Sequence, residues 1–168
     1  MATTSRLVLI PLSGNEAIAA RLAGLLDGEL RIPEMRHLPD GEPRFRLDID
    51  LHGRRVALVC ALDDPDAKFL PLLFAARTAS ELGAASVGLV APYAADMRPD
   101  RPSGEAPSSR LFAARLSPQI DWLVTVEPHP HRGPSLEAIY DVPTRVLDAA
   151  GVDDIAPLLA RGIAEIMI

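Results

Sequence analysis

Short apolar runs alternate along this chain with segments whose apolar residues recur at helical spacing. Such runs are typical of parallel strands covered on both faces, and the spacing between them predicts helices. Predicted strands cover 6–10, 55–61, 86–91, 122–126 and 142–147, and predicted helices cover 17–26, 68–82, 106–116 and a closing helix from Asp153 or Asp154 to Ile166. Ser13 or Asn15 is predicted to cap the first helix. The alternation favours a three-layer α/β fold with a mostly parallel sheet and helices on both faces.

A second pattern, strict alternation, occupies residues 45–51. Apolar Phe45, Leu47, Ile49 and Leu51 alternate there with charged residues. This period of two predicts a strand with one buried face, and a further strand is predicted over 35–38. The intervening Asp40-Gly41 pair is a turn signal, so the two strands are predicted to flank a tight turn.

Composition narrows the possible functions. With 168 residues, 48% of them hydrophobic, the chain is predicted to form one α/β domain. A net charge of -6 argues against nonspecific nucleic-acid binding, and the single Cys60 excludes a disulfide within the chain. No apolar stretch is long enough to span a membrane. A cytoplasmic protein without nucleic-acid or membrane partners is predicted.

The segment 38–42 supports two interpretations. In the structural interpretation it is a hairpin turn, because Asp-Gly tolerates the positive φ that such turns need. In the functional interpretation, Asp40 and Glu42 accept hydrogen bonds from an exocyclic amine or ring substituent, and Leu38 supplies an apolar wall.

Two further polar segments follow predicted strands of the sheet. The loop 92–103 contains Arg98, Asp100 and Arg101, and two guanidinium groups so close together can hold phosphate oxygens. The alternative is a solvated loop paired with its own acids. His129 follows the strand 122–126 and can coordinate magnesium or contact a phosphoryl group; the alternative is a structural or surface histidine. Because ends of parallel strands meet at one edge, the segments together indicate a site for a nucleoside triphosphate with magnesium.

In their order and spacing, these segments resemble the ribose-phosphate diphosphokinase family, also called phosphoribosyl pyrophosphate synthetase. The resemblance covers essentially the whole chain. It rests on the segments 13–15, 38–42, 66–84, 92–101, 105–116 and 126–129. It implies a phosphoribosyltransferase-like fold, Mg²⁺ as cofactor, and transfer of diphosphate from ATP to ribose 5-phosphate to give 5-phosphoribosyl 1-pyrophosphate and AMP. It also implies a homo-oligomer, either a dimer or a hexamer.

The resemblance also implies roles for individual residues. Leu38, Asp40 and Glu42 match the turn that contacts adenine, commonly across a subunit interface. The ATP-contacting loop is matched by Arg98, Asp100 and Arg101, with Arg98 also assigned a catalytic role. His129 matches the catalytic histidine near the metal and the triphosphate.

Family members contain a second, ribose 5-phosphate-binding domain that nothing in this chain matches. We therefore expect the chain to be an amino-terminal half that does not turn over by itself. Departures at Leu38, Asp96 and Pro99 leave a noncatalytic regulatory or assembly subunit as an alternative. A third hypothesis is an unrelated metal-dependent hydrolase that uses His129, His131 and nearby carboxylates.

Overall fold

A six-stranded parallel sheet forms the centre of the molecule. The computed structural model describes residues 7–94, 104, 108–127 and 136–168. Its strands are β1 (Leu7–Pro11), β2 (Glu29–Leu30), β3 (Glu34–His37), β4 (Pro43–Arg46), β5 (Arg55–Val59), β6 (Ser86–Ala91), β7 (Trp122–Glu127) and β8 (Thr144–Asp148). Its α-helices are α1 (Glu16–Leu25), α2 (Pro65–Glu81), α3 (Ser108–Leu116), α4 (Leu136–Ile139) and α5 (Ala156–Ile166), with a 3₁₀ turn at Ser117–Gln119. The sheet order is β2-β1-β5-β6-β7-β8.

Two hydrophobic layers enclose this sheet. On one face, Leu22 of α1 and Ile163 of α5 pack with Leu9 of β1. On the other face, Leu72 of α2 and Leu116 of α3 join a separate cluster. The predicted three-layer arrangement with helices on both faces is confirmed. No helix in the described ranges is both long and apolar enough to cross a membrane.

Close packing within the sheet depends on a glycine. Gly88 of β6 pairs in register with Trp122 of β7, and the indole lies over it. A Cβ atom built on Gly88 would lie 1.9 Å from Cε2 of Trp122, where no real Cβ fits. The only tryptophan of the chain is therefore seated where a neighbouring strand has no side chain.

The hairpin of β3 and β4 stands apart as a two-stranded antiparallel sheet. Its half-buried Met35 and Phe45 pack against the larger core, and β4 contacts α2. The predicted strand 45–51 is shorter than expected, since β4 ends at Arg46. Its period of two nevertheless continues, because Leu47 and Leu51 are buried.

Other boundaries differ modestly from the prediction. The sequence pattern missed the two-residue strand β2 and the single-turn helix α4, which are too short to show a period. Helix α5 begins at Ala156, so the predicted start at Asp153 or Asp154 is wrong. Asp154 instead accepts a hydrogen bond from the Ala156 N–H at 3.2 Å and pairs with Arg21 of α1.

Candidate active-site edge and hairpin turn

Asn15 joins the ends of two neighbouring strands at the carboxyl edge of the sheet, the edge at which the parallel strands end. Its side chain is buried, and its Oδ1 accepts the Ala61 N–H at 2.9 Å. Its Nδ2 donates to the carbonyls of Leu12 and Ser13, each at 3.3 Å. The loop after β1 and the loop after β5 are thus held together by one amide group.

This role differs from the one predicted from sequence. Asn15 occupies the N-cap position of α1, but its side chain makes no capping hydrogen bond. Ser13 is exposed, and its described interaction is through its backbone carbonyl. Side-chain capping of α1 is therefore not observed, because the Asn15 amide is used between strands. Sequence alone offers no signal for that partner, which lies 46 residues away.

Hydrogen bonds also join the ends of β5, β6 and β7. The Leu62 N–H donates to the Tyr93 carbonyl at 2.7 Å, and Leu62 forms an isolated parallel bridge with Ala94. The buried Thr125 hydroxyl donates to the Ala91 carbonyl at 2.9 Å. The loop 92–103, which contains Arg98 and Arg101, is here called the arginine loop. The residues that lead into it are thereby held against Leu62, which follows β5, and against β7.

An ion pair lies next to Leu62, the residue that contacts the start of the arginine loop. Lys68, near the start of α2, contacts the Asp63 carboxylate, and only 23% of the lysine side chain is exposed. The hydrogen bond from Lys68 lowers the pKa of Asp63. Burial raises the pKa of the nearby Cys60 thiol to about 11. The carboxyl edge therefore carries an ionised carboxylate and a protonated thiol at neutral pH.

The hairpin turn presents its predicted site residues to solvent. The Leu38 N–H donates to the Glu42 carbonyl and the Gly41 N–H to the Leu38 carbonyl, both at 2.8 Å. Gly41 has a φ of 89°, which an L side chain rarely adopts. Leu38 is half-buried, while Asp40 and Glu42 are exposed.

Both interpretations of this turn are compatible with its geometry. One oxygen of Asp40 accepts the Glu42 N–H at 3.0 Å, so Asp40 does stabilise the turn. The carboxylate has a second oxygen, and the exposed Glu42 side chain points to no described partner. Asp40 and Glu42 therefore retain acceptor oxygens for a ligand.

The structure brings only some of the predicted segments together. Ala91 of β6 and Thr125 of β7 are register partners, so the chain segments leading to the arginine loop and to His129 lie on adjacent strands. Arg98, Asp100, Arg101, His129 and His131 themselves lie outside the described residues, as do Asp96 and Pro99.

The hairpin lies against α2 and not at the carboxyl edge of the sheet. Phe74 and Thr78 of α2 line a groove with it. Since a helix rises about 1.5 Å per residue, Phe74 is about 14 Å along the axis from the start of α2 at Pro65. Within the described part of the chain, every hydrogen bond of the turn 38–42 is internal or to the adjoining strands.

No cluster of three or more His, Cys, Asp or Glu side chains suited to a metal ion occurs among the described residues. The carboxyl edge does offer exposed carboxylates at Asp63 and Asp64, which follow β5. Carboxylate oxygens are the protein ligands that Mg²⁺ usually combines with substrate phosphates. Oxygen donors of the kind that Mg²⁺ takes are therefore present at this edge, and one of them, the Asp63 carboxylate, is also paired with Lys68.

Comparison with known proteins identifies the family. Residues 7–118 match the N-terminal domain of ribose phosphate pyrophosphokinase. The chain belongs to the ribose-phosphate pyrophosphokinase family. The predicted relationship to the ribose-phosphate diphosphokinases, which is another name for the same enzymes, is confirmed.

Named relatives of this pyrophosphokinase family extend the match. The ribose-phosphate pyrophosphokinase of Methanothermobacter thermautotrophicus is 32% identical over 160 residues, which cover 94% of this chain and 53% of that protein. The corresponding protein of Saccharolobus solfataricus is 35% identical over 127 residues, covering 73% of this chain and 44% of the relative. The chain thus spans about half the length of the curated relatives it matches.

A solved structure has the same fold. Phosphoribosylpyrophosphate synthetase from Mycobacterium smegmatis superposes with a TM-score of 0.73 at 21% identity, covering 86% of this chain and 49% of that one. The predicted phosphoribosyltransferase-like α/β fold is confirmed.

Proposed function

We propose that this chain supplies the ATP-contacting part of a ribose-phosphate diphosphokinase. The reaction transfers diphosphate from ATP to ribose 5-phosphate, giving 5-phosphoribosyl 1-pyrophosphate and AMP. The observation that carries this proposal, beside family membership, is the register pairing of Ala91 with Thr125. Because of this pairing, the arginine loop and the segment with His129 follow the ends of adjacent strands. Parallel sheets bind ligands at this edge.

In the proposed mechanism, the protein works by positioning and by neutralising charge. Arg98 and Arg101 hold phosphate oxygens of ATP through guanidinium N–H groups. Asp100, which lies between them in the sequence, orients the two arginines. His129 donates a hydrogen bond to the transferring diphosphoryl group. These roles follow from the family pattern and from the strand ends to which the segments are attached.

Magnesium belongs to the proposal as a partner of the ATP phosphates. His129, with carboxylates of the carboxyl edge such as Asp64, would hold it there. When bound, the ion neutralises charge on the phosphate oxygens.

The hairpin turn is proposed to recognise adenine with Asp40, Glu42 and Leu38. The hairpin lies against Phe74 of α2, about 14 Å along the helix axis from its first residue, and this supports a turn that serves the nucleotide of a neighbouring copy. This gives the proposed homo-oligomer, whether dimer or hexamer, a functional reason. Ribose 5-phosphate would bind in the second domain that the longer relatives contain.

Kinetics of the complete gene product test this assignment. We expect Arg98→Glu to lower kcat/KM for ATP by about 10²-fold or more, because a preorganised phosphate contact becomes repulsive. KM for ribose 5-phosphate should change little. Glu81→Gln, an exposed carboxylate on α2, is the matched control and should leave both constants unchanged.

A second assay addresses the turn. Asp40→Ala combined with Glu42→Ala should reduce the preference for ATP over GTP, since acceptors for the adenine amine are lost.

Diphosphoryl transfer that is unaffected by Arg98→Glu would refute the catalytic assignment and favour the regulatory or assembly subunit. Tightly retained zinc would instead favour the hydrolase hypothesis.

A further inference from the structure

The only lysine of the chain lies at the carboxyl edge of the sheet. The sequence contains 17 lysine and arginine residues, and Lys68 is the single lysine among them. It is the fourth residue of α2, the helix that follows β5. Only 23% of its side chain is exposed, whereas the Arg77 side chain on the same helix is 69% exposed. Lys68 is therefore held against the protein surface instead of extending into solvent.

Lys68 lies next to the start of the arginine loop. Its ion-pair partner, Asp63, directly follows Leu62 in the chain. The Leu62 N–H donates to the Tyr93 carbonyl at 2.7 Å, and Leu62 forms its parallel bridge with Ala94. Both of these contacts are to residues of the arginine loop. A single residue of the chain thus connects the lysine–carboxylate pair with the loop that is proposed to hold the ATP phosphates.

The helical turn that carries Lys68 is fixed by packing. The ring of the neighbouring Phe69 lies 5.1 Å from the Phe112 ring of α3, measured between centroids. Leu72, about one turn further along α2, is fully buried. The Lys68 backbone N–H donates to the Asp64 carbonyl at 3.2 Å. The backbone position of Lys68 is therefore defined, while its flexible four-carbon side chain can turn toward different partners.

A cation at this place needs an anionic partner. The amino-terminal end of a helix carries partial positive charge, which disfavours a nearby ammonium group. Partial burial of Lys68 adds a desolvation cost to its charged form. The Asp63 carboxylate supplies the compensating charge, and 61% of its own side chain is exposed. Because this carboxylate is largely exposed, the lysine can exchange it for a different anion without disturbing the core.

We propose that Lys68 binds a phosphate group of ATP and that it exchanges Asp63 for this phosphate when the nucleotide enters. The inference rests on the proposed function, to which it adds a binding residue outside the arginine loop and the hairpin turn. The ammonium group of a lysine suits such an exchange. Its three N–H donors on a flexible stem need no fixed orientation, unlike the planar guanidinium group of an arginine.

The two members of this ion pair then have opposite effects on phosphate binding. Lys68 attracts the phosphate, whereas Asp63 repels it and competes for the same ammonium group. A pair that only stabilised the fold would respond differently, because the loss of either member would break the same contact. The sign of the Asp63 effect therefore separates a binding role from a structural one.

Calorimetric titration of the complete gene product with inorganic tripolyphosphate, without a metal ion, provides the test. Lys68→Met should weaken binding by about tenfold or more, since a charge-assisted hydrogen bond to phosphate is lost. Lys68→Arg keeps the positive charge, so its dissociation constant should stay within about threefold of the original. Asp63→Asn should strengthen binding by about threefold or more, because a repelling and competing anion is removed.

The Arg77–Glu81 ion pair of α2 provides a matched control, since it contains a cation and a carboxylate on the same helix. Arg77 lies about 14 Å from Lys68 along the helix axis, which exceeds the screening length of about 10 Å at 0.1 M salt. Arg77→Met and Glu81→Gln should each change the dissociation constant for tripolyphosphate by less than about twofold. Thermal unfolding verifies that each variant is folded.

Three outcomes would overturn the inference. The unmodified protein could fail to bind tripolyphosphate at millimolar concentration. Lys68→Met could bind it as tightly as the unmodified protein does. Asp63→Asn could weaken binding as Lys68→Met does, which would show that the pair supports the loop after β5 and does not compete with phosphate.

Failure of this inference and failure of the proposed function are distinguishable, because tripolyphosphate contains no nucleoside and its binding involves no transfer. If Arg98→Glu abolished transfer while Lys68→Met left tripolyphosphate binding unchanged, the proposed function would stand and this inference would fall. If the Lys68 and Asp63 variants showed their opposite effects in a protein that formed no 5-phosphoribosyl 1-pyrophosphate, the phosphate contact would stand and the proposed reaction would fall.

Discussion

The carboxyl edge of the sheet and the β3–β4 hairpin both carry residues of the proposed ATP site, but they are held in different ways. At the edge, buried side chains such as Asn15 and Thr125 connect neighbouring strands through hydrogen bonds. On the hairpin, only Met35 and Phe45 pack inward, and the charged side chains face solvent.

This difference separates two kinds of contribution. Residues of the edge are needed for folding, because removing a buried partner leaves another polar group unsatisfied. Charged residues of the hairpin contribute little to the stability of the fold, because their side chains are exposed and their interactions are screened by solvent. Substitutions at the edge should therefore lower mainly the free energy of unfolding. Substitutions of charged hairpin residues should alter mainly what the surface binds.

The largest loss of stability is expected inside the sheet. Gly88→Ala forces a methyl group into the Trp122 indole and should lower the free energy of unfolding by about 3 kcal/mol. Gly24→Ala is the control, because Gly24 lies in α1 with nothing within 4 Å of an added Cβ. That change should stabilise the protein by about 0.5 to 1 kcal/mol. Urea denaturation measures both, and equal effects would contradict the packing argument.

A smaller loss is expected at the carboxyl edge. Asn15→Ala removes the acceptor of the Ala61 N–H and should cost about 2 kcal/mol in the free energy of unfolding. Ser13→Ala, at an exposed position of the same loop, should cost little. If Asn15→Ala were neutral in chemical denaturation, the amide would not be what joins these loops.

The ion pairs of Glu29 give a pH-dependent effect. Hydrogen bonds from Arg54 and Arg31 lower the pKa of Glu29, so the folded state favours its ionised form. This stability is present above the unfolded pKa of about 4.3 and is lost as pH falls through the lower folded value. Glu29→Gln should therefore cost about 1 kcal/mol at pH 7 and less in acid.

Denaturation curves at neutral and acidic pH measure that difference. Glu34→Gln is a suitable control, because Glu34 lies on the exposed face of the hairpin, where its pair with Arg36 is weak. A loss that did not shrink in acid would show that packing of Glu29, rather than its charge, stabilises the fold.

The smallest effect is expected in the hairpin turn. Asp40→Ala removes one exposed hydrogen bond to the Glu42 N–H and should change the free energy of unfolding by only about 0.5 kcal/mol. Asp40→Asn keeps an acceptor and should be closer to the original. A loss above about 2 kcal/mol in thermal or chemical unfolding would mark Asp40 as a structural residue of the turn.

Much of the architecture could be predicted because it is encoded locally. The apolar runs that became β1, β5, β6 and β7 are continuous, since both faces of those strands are buried. The Asp40-Gly41 signal correctly located the hairpin turn, because Gly41 adopts the positive φ that it tolerates. The family match over residues 7–118 confirms the family that the sequence motifs indicated.

Other features depended on contacts between distant residues. Asn15 was expected to cap a helix. Only the folded chain places it beside Ala61, whose backbone N–H donates to the Asn15 side chain. Gly88 offers no local sign that it faces Trp122 across a strand pair. The alternation over residues 45–51 already predicted that one face of this segment is buried and that its charged side chains lie on the other face. Only the tertiary structure decided that Arg44 and Arg46 border a groove, because the groove forms where the hairpin lies beside α2.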